Sequence, residues 1–421
     1  MFDDIHAEAD PTVWDAADPL AGFRARFSLD NAGVIYLDGN SLGRPPRSVQ
    51  AAMRDIIDGQ WPHSLIKGWD HWIDLPARAG DRLAGAALGA RPGEVLVSDS
   101  TSVNLYKLAA AALAAAPPGR RVIVTDDDNF PTDRYVLQGV AEQYGGELRT
   151  VETDIDTGVD PQAVAEAVGG DTALVSLSHV AYRSGALADM TEITDVAHDA
   201  GALVLWDLCH SVGSVDVALR DCDVDLAVGC TYKHVNAGPG APAFLYVRED
   251  LHDRLRQPIW GWFSQADQFD MDAGYRPQTG VGRFAVGTPG VVGVAGVLAA
   301  TELIAEAGMP AIREKSMRLG EYAARLVAAR LTPLGFTLAS PADPLRRGGH
   351  LTVRHPQAWQ ISQAMREAGV IPDYRTPERI RLGFAPLYNG YTEVRDAIDR
   401  MAEIVSTEAH VAYPADPGRV T

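Results

Sequence analysis

Leu226-Ala-Val-Gly-Cys230, Thr231-Tyr-Lys-His-Val-Asn-Ala-Gly-Pro-Gly240 and Ala243-Phe-Leu-Tyr-Val247 read in succession as an apolar strand, a turn rich in glycine and proline, and a second apolar strand. Runs this apolar suit strands buried on both faces by crossover helices. The same alternation extends outward to Glu94–Ser98, Arg121–Thr125, Leu148–Glu152, Thr172–Ser178 and Leu203–Asp207, with helical segments between them. The seven runs predict a mainly parallel seven-stranded sheet in an α/β domain. Strand ends of such sheets are where ligand sites collect. Lys233, delivered there, reads either as a residue capping the turn or as an amine placed to form a Schiff base with a carbonyl group.

After Val247 the pattern changes. An aromatic, glycine-rich loop runs from Pro258 to Gly290, then a helix-forming stretch from Val291 to about Leu331, interrupted at Gly308-Met-Pro310. Strands over His350–Val353 and Ile380–Leu382 and helices over Trp359–Ala368 and Thr392–Val405 predict a smaller α+β unit. Upstream, Asp10-Pro11 and Asp18-Pro19 read as breakers in an irregular arm, followed by a short strand Val34–Leu37. Val49, Met53, Ile56 and Ile57 recur at helical spacing. The expected division is an arm over 1–45, a large domain over 46–290 and a small domain over 291–421. The last stretch, 414–418, is expected to fray.

Hydrophobic content of 46% and charged content of 22% are ordinary for a globular protein of 421 residues. A net charge of −19 argues against nucleic acid or an anionic membrane as partner. Cys209, Cys222 and Cys230 suit a reduced compartment better than a disulfide framework. With no basic, apolar leader at Met1–His6 and no apolar run long enough to span a bilayer, the expected location is the cytoplasm. No metal-ligand spacing, G-x-G-x-x-G, Walker loop or nucleophile elbow is present, so those chemistries lack their signatures.

The other polar residues near strand ends suggest a pyridoxal phosphate site, which needs a lysine, a carboxylate for the ring nitrogen, a phosphate cradle and a stacking group. Asp207 ends an apolar strand, either as a cap or as the partner of a cation. His210 lies three residues on, as a structural histidine or a hydrogen-bond partner of Asp207 or of the cofactor. Thr101 and Ser102 open a helical run, which explains them as caps or as phosphate donors. Phe130-Pro-Thr-Asp133 reads as a proline-started helix or as a stacking ring with a second carboxylate.

Together with Tyr36-Leu-Asp-Gly-Asn-Ser-Leu-Gly43, Thr101-Ser-Val-Asn104, Trp206-Asp-Leu-Cys-His-Ser211, Trp260-Gly-Trp-Phe263, Arg283-Phe-Ala-Val-Gly-Thr-Pro289 and Arg381 before Pro386-Leu-Tyr-Asn389, these stretches resemble the kynureninases, in that family's order. The resemblance covers nearly the whole chain and implies a fold type I, pyridoxal-phosphate-dependent hydrolase that cleaves L-kynurenine, 3-hydroxy-L-kynurenine or a ring-substituted relative to alanine and an anthranilate. It implies that Lys233 carries the cofactor and removes the α-proton, that Asp207 and Asp133 lie near the ring nitrogen with His210, and that Phe130 stacks. Thr101, Ser102, Ser178, Tyr232, Trp262 and Thr288 are then cofactor contacts, Tyr232 serving either proton transfer or phosphate binding. Arg381 grips the substrate α-carboxylate, with Ser41 and His63 facing the substrate. A homodimer with sites at the subunit interface is also implied. Ala181 and Gln265 depart from the pattern, at positions where a polar residue and a histidine are usual, and leave the aryl substrate open. A class V aminotransferase keeps the same fold, while a cysteine desulfurase needs a nucleophilic cysteine late in the chain, and none follows Cys230. A binding protein without turnover is disfavoured by the joint presence of Lys233, Asp207 and Arg381.

Overall fold

The computed structural model describes residues 2, 4–29, 33–271 and 273–415. The expected fraying of 414–418 falls, from 416 on, outside them. In chain order the strands are β1 (Ile35–Tyr36), β2 (Val95–Val97), β3 (Val122–Asp126), β4 (Glu147–Val151), β5 (Thr172–Ser178), β6 (Leu203–Asp207), β7 (Leu226–Gly229), β8 (Phe244–Val247), β9 (Thr337–Leu338), β10 (His350–Arg354), β11 (Val370–Ile371), β12 (Asp373–Arg375) and β13 (Arg379–Gly383). The large sheet has seven strands in the order β2-β8-β7-β6-β5-β3-β4, and each matches an expected run within a residue or two. From β4 through β7 the pairing is parallel; only β8 runs against its neighbours β2 and β7. Helices cover both faces, so Val204, Trp206, Val228 and Phe244 have no solvent exposure.

The second body holds a four-stranded antiparallel sheet, β12-β13-β10-β9, covered by the Ala358–Glu367 and Tyr391–Ser406 helices. Its core includes Ile5, Ile35 and Leu37, because β1 pairs in parallel with β11. The N-terminal segment is therefore threaded through the small body. It is also less irregular than its sequence suggests. Asp10 caps the Pro11–Ala17 helix by accepting from the Thr12 amide at 3.0 Å, so Asp10-Pro11 starts an element instead of breaking one. Of the residues read as a helical face, Val49 and Ile56 are buried but Ile57 is exposed, since the helix passes into a π-turn at Asp55–Gln60 that shifts the face.

Apolar packing also divides the chain later than residue 291. The Val291–Ala307 helix buries Val294, Val297, Ala300 and Ile304 in the core beneath the large sheet, while the small-body core, begun by the N-terminal segment, resumes only at Leu319. The long helix breaks at Gly308, whose φ of +78° lets the chain turn by 80° before Met309–Leu326. Among the described residues no single helix is long and apolar enough to cross a membrane.

Candidate active site

Parallel strands β5, β6 and β7 all end at one edge of the sheet, and each delivers a polar residue there: Ser178, Asp207 and, after the Cys230–Tyr232 turn, Lys233. The loop carrying the lysine is shaped by Asn236 and Gly238, at φ +63° and +103°. The segment before it is held by close approach. A Cβ on Gly43 would lie 2.4 Å from the Lys233 carbonyl, and the Gly43 amide donates to the Tyr232 carbonyl at 2.8 Å.

These residues line a cavity of about 220 Å³. Every cofactor-side residue expected from the sequence opens into it except Trp262 and Thr288: Thr101, Ser102, Phe130, Asp133, Ser178, Asp207, His210, Tyr232 and Lys233. The Lys233 amine lies 3.0 Å from Nε2 of His210. Burial, then the charge of Lys233, hold the His210 imidazole well below its usual protonation range, so it is neutral and accepts from the ammonium; its Nδ1 is enclosed without a partner. Asp207 accepts from the Cys209 amide at 2.6 Å, closing a local turn instead of capping a helix. Burial and the neighbouring charge of Asp207 push the Asp133 carboxyl well above the usual range, so Asp133 carries a proton and hydrogen-bonds Asp207.

The Thr101–Ala115 helix starts at the cavity wall. Ser100, not Thr101, is its cap, accepting from the Val103 amide at 3.4 Å, and this leaves the Thr101 hydroxyl 3.5 Å from the Cys209 thiol. Phe130 occupies the N-cap position of the proline-started Pro131–Gln143 helix and meets Tyr182 edge to face at 5.3 Å. Ser178 donates to Asn129 at 2.8 Å. Burial pushes the Tyr232 phenol upward, keeping it protonated.

Arg381 lies on β13, 1% exposed, outside this cavity but joined to its wall: Nη1 donates to the carbonyl of Tyr182, which lines the cavity, at 2.5 Å. Its Nη2 donates to Ser41 Oγ at 3.1 Å and to Asp373. Ser41 thus contacts Arg381, while three of the expected site residues do not enter the cavity of this chain. His63 is exposed and bonded to its own helix through Gly59 at 2.5 Å. Trp262 is 43% exposed, and Thr288 lines a neighbouring cavity of about 590 Å³ that shares Asp99 and Gly240 with the first. Sequence reasoning missed Tyr182, Asn129, Cys209 and Asp373. Asn129 borders the quoted Phe130–Asp133 stretch and Cys209 lies inside Trp206–Ser211, so both were within reach of the same argument; nothing in the sequence marks Asp373.

The chain is 42% identical to a kynureninase of Pseudomonas fluorescens over 398 residues, covering 93% of this chain and 94% of that one. It belongs to the kynureninase family. A kynureninase of Burkholderia pseudomallei is 41% identical over 94% of both chains. The model of the kynureninase C-terminal domain matches residues 312–401, and that of the DegT/DnrJ/EryC1/StrS aminotransferase family matches 88–221. Among solved structures, a cysteine desulfurase of Thermococcus onnurineus is similar with a TM-score of 0.81 at 21% identity, over 92% of this chain and 98% of that one. At that identity the likeness shows the fold alone, fold type I. The donor set fits the pyridoxal phosphate of the family on the cavity's own features: an amine, an enclosed carboxylate pair holding a proton, an imidazole nitrogen with no partner, and a helix N-terminus with hydroxyls.

Proposed function

We propose that this kynureninase-family chain hydrolyses L-kynurenine, 3-hydroxy-L-kynurenine or a ring-substituted relative to L-alanine and the matching anthranilate by breaking the β–γ carbon bond. The observation that carries this is the opening of Lys233 and Asp207 into one cavity from neighbouring strands, with Arg381 tied to the same wall through Tyr182. Lys233 would hold pyridoxal phosphate, Asp207 its ring nitrogen, Phe130 its ring face, and Thr101 and Ser102 with Ser178 and Tyr232 its polar groups. When bound, the cofactor supplies an electron sink for carbanion chemistry at the substrate's α- and β-carbons. Lys233 Nζ takes the α-proton and is the site from which it is returned. His210, kept neutral, accepts a hydrogen bond from that amine and fixes its position without competing for its proton. Asp207, supported by protonated Asp133, supplies the negative charge that keeps a ring nitrogen protonated. Arg381 pairs with the α-carboxylate as a planar fork, and Ser41 holds the guanidinium in place. Tyr232, protonated, is a donor at the cavity wall.

The same reading makes the chain a homodimer in the cytoplasm. Trp262, Thr288 and His63 then reach the site of the partner subunit, and the support for this is that all three lie outside the cavity of their own chain while Trp61, Leu65 and Ile66 beside His63 are 60, 64 and 79% exposed. All three cysteines are free thiols, which suits a reducing compartment.

Cofactor-loaded protein incubated in parallel with L-kynurenine and 3-hydroxy-L-kynurenine is expected to release alanine and a fluorescent anthranilate from at least one of them. The aminotransferase match over 88–221 favours transamination as the second reading. Alanine appearing only when a keto acid is added would decide for it.

A further inference from the structure

The substrate-carboxylate arginine sits in a cluster of two acids and two bases. Asp373 pairs directly with Arg381 across β12 and β13 and ion-pairs with it, and its other oxygen accepts from Arg375 at 2.9 Å. Ser41 donates to Asp373 at 3.4 Å and accepts from Arg381 at 3.1 Å. Asp38 completes the cluster: it bridges to Gly383 at the end of β13, and its Oδ1 is enclosed with no hydrogen-bond partner. Its charged neighbours are Asp373 and Arg375 from β12 and Arg381 from β13, with the Ser41 hydroxyl hydrogen-bonded to it and the phenols of Tyr36 and Tyr388 beside it; Arg44 lies over those two rings, 5.3 and 5.9 Å from their centres. With both acids ionised, the two arginines are balanced and an incoming carboxylate adds an uncompensated negative charge to a buried place, which is costly. With Asp38 protonated, one positive charge is left over and the carboxylate closes the balance.

We propose that Asp38 is a positioning residue that sets affinity at the carboxylate site: by keeping a proton it leaves Arg381 one net positive charge, and binding of the substrate carboxylate is coupled to retention of that proton. This rests on Arg381 as the carboxylate ligand. Burial first, then the charge of Asp373, push the Asp38 carboxyl up to about 6, so the coupling falls in an accessible range. The bound carboxylate, a like charge, raises Asp38 further. Affinity is therefore greatest below the free-state value, falls as pH rises through it, and levels off above the bound-state value.

The test is calorimetric binding of 4-oxo-4-phenylbutanoate, the substrate skeleton without either amine, to cofactor-loaded enzyme between about pH 5 and 8. Wild type is expected to lose roughly tenfold in affinity across that range and to take up protons on binding, read from two buffers of different ionisation enthalpy. Asp38→Asn, permanently neutral, is expected to bind at the tight level throughout with no uptake. Equal pH slopes in wild type and Asp38→Asn, or no proton uptake by wild type at pH 7, overturn the coupling while a weakened Arg381→Ala still supports the arginine. Arg381→Ala that binds as tightly as wild type overturns both.

Discussion

Lys233 Nζ and His210 Nε2 meet at 3.0 Å, and burial followed by the charge of Lys233 holds the imidazole well below its usual protonation range. A buried imidazole beside an ammonium stays neutral, so it can accept from Nζ and orient it. Lys233→Ala is accordingly expected to fold, to lose the visible band of covalently held cofactor and to lose turnover; a variant that keeps the band would remove the lysine from its role. The two carboxylates separate in the same way. Asp133 is already protonated and serves as a donor to Asp207, a task an amide also performs, whereas Asp207 supplies charge. Asp133→Asn should keep kcat within about tenfold, while Asp207→Asn should lose on the order of a thousandfold. Steady-state kinetics on the two variants decide it, and equal losses would refute the division. Lys233 and Asp207 stood out as polar residues ending apolar strands, each with a capping role as the alternative, whereas Ser178 entered only through the family resemblance. Asp373 did not stand out, because its meaning lies in a partner across two strands that sequence spacing does not reveal.

At the scale of elements, the long apolar runs and the short strand expected at Val34–Leu37 match the structure, while β9, β11 and β12 have no counterpart among the expected elements. β11 and β12 have two and three residues, too few for any periodicity to show, yet they anchor β1 and Arg381. Asp10-Pro11 carries one composition with two meanings, and only the Thr12 amide on the Asp10 carboxylate tells a helix start from a break. The N-terminal segment has a further duty: leaving the small body at Leu37, it reaches Gly43, where its backbone lies against the lysine loop. Gly43→Ala forces a methyl to within 2.4 Å of the Lys233 carbonyl and 2.2 Å of Asn236 Oδ1. Displacement of the loop is expected to cost about 1–3 kcal/mol and to weaken cofactor retention. Thermal unfolding with and without added cofactor measures both effects, and an unchanged melting temperature in both states would show that the loop yields freely.

For the whole molecule, the small body reaches the edge where β5, β6 and β7 end through Arg381, whose guanidinium donates to the Tyr182 carbonyl at the wall of the cavity that holds Lys233. One chain still leaves part of its expected machinery outside. Ile57, Trp61, Leu65 and Ile66 project along one exposed segment, an apolar run of the kind that marks an interaction surface. A second copy is the partner that would cover this segment while also supplying Trp262 and Thr288 to the cofactor. Charging the segment should then have two linked effects. Trp61→Asp combined with Ile66→Asp touches no residue of the cavity, so each chain should fold with unchanged secondary structure. In sedimentation the variant should run as a monomer where wild type runs as a dimer, and its retention of pyridoxal phosphate should fall by roughly tenfold or more as the partner's contacts are lost. Full cofactor retention by a proven monomer would show that Trp262 and Thr288 contribute nothing across an interface. An unaltered dimer would place the contact on another face.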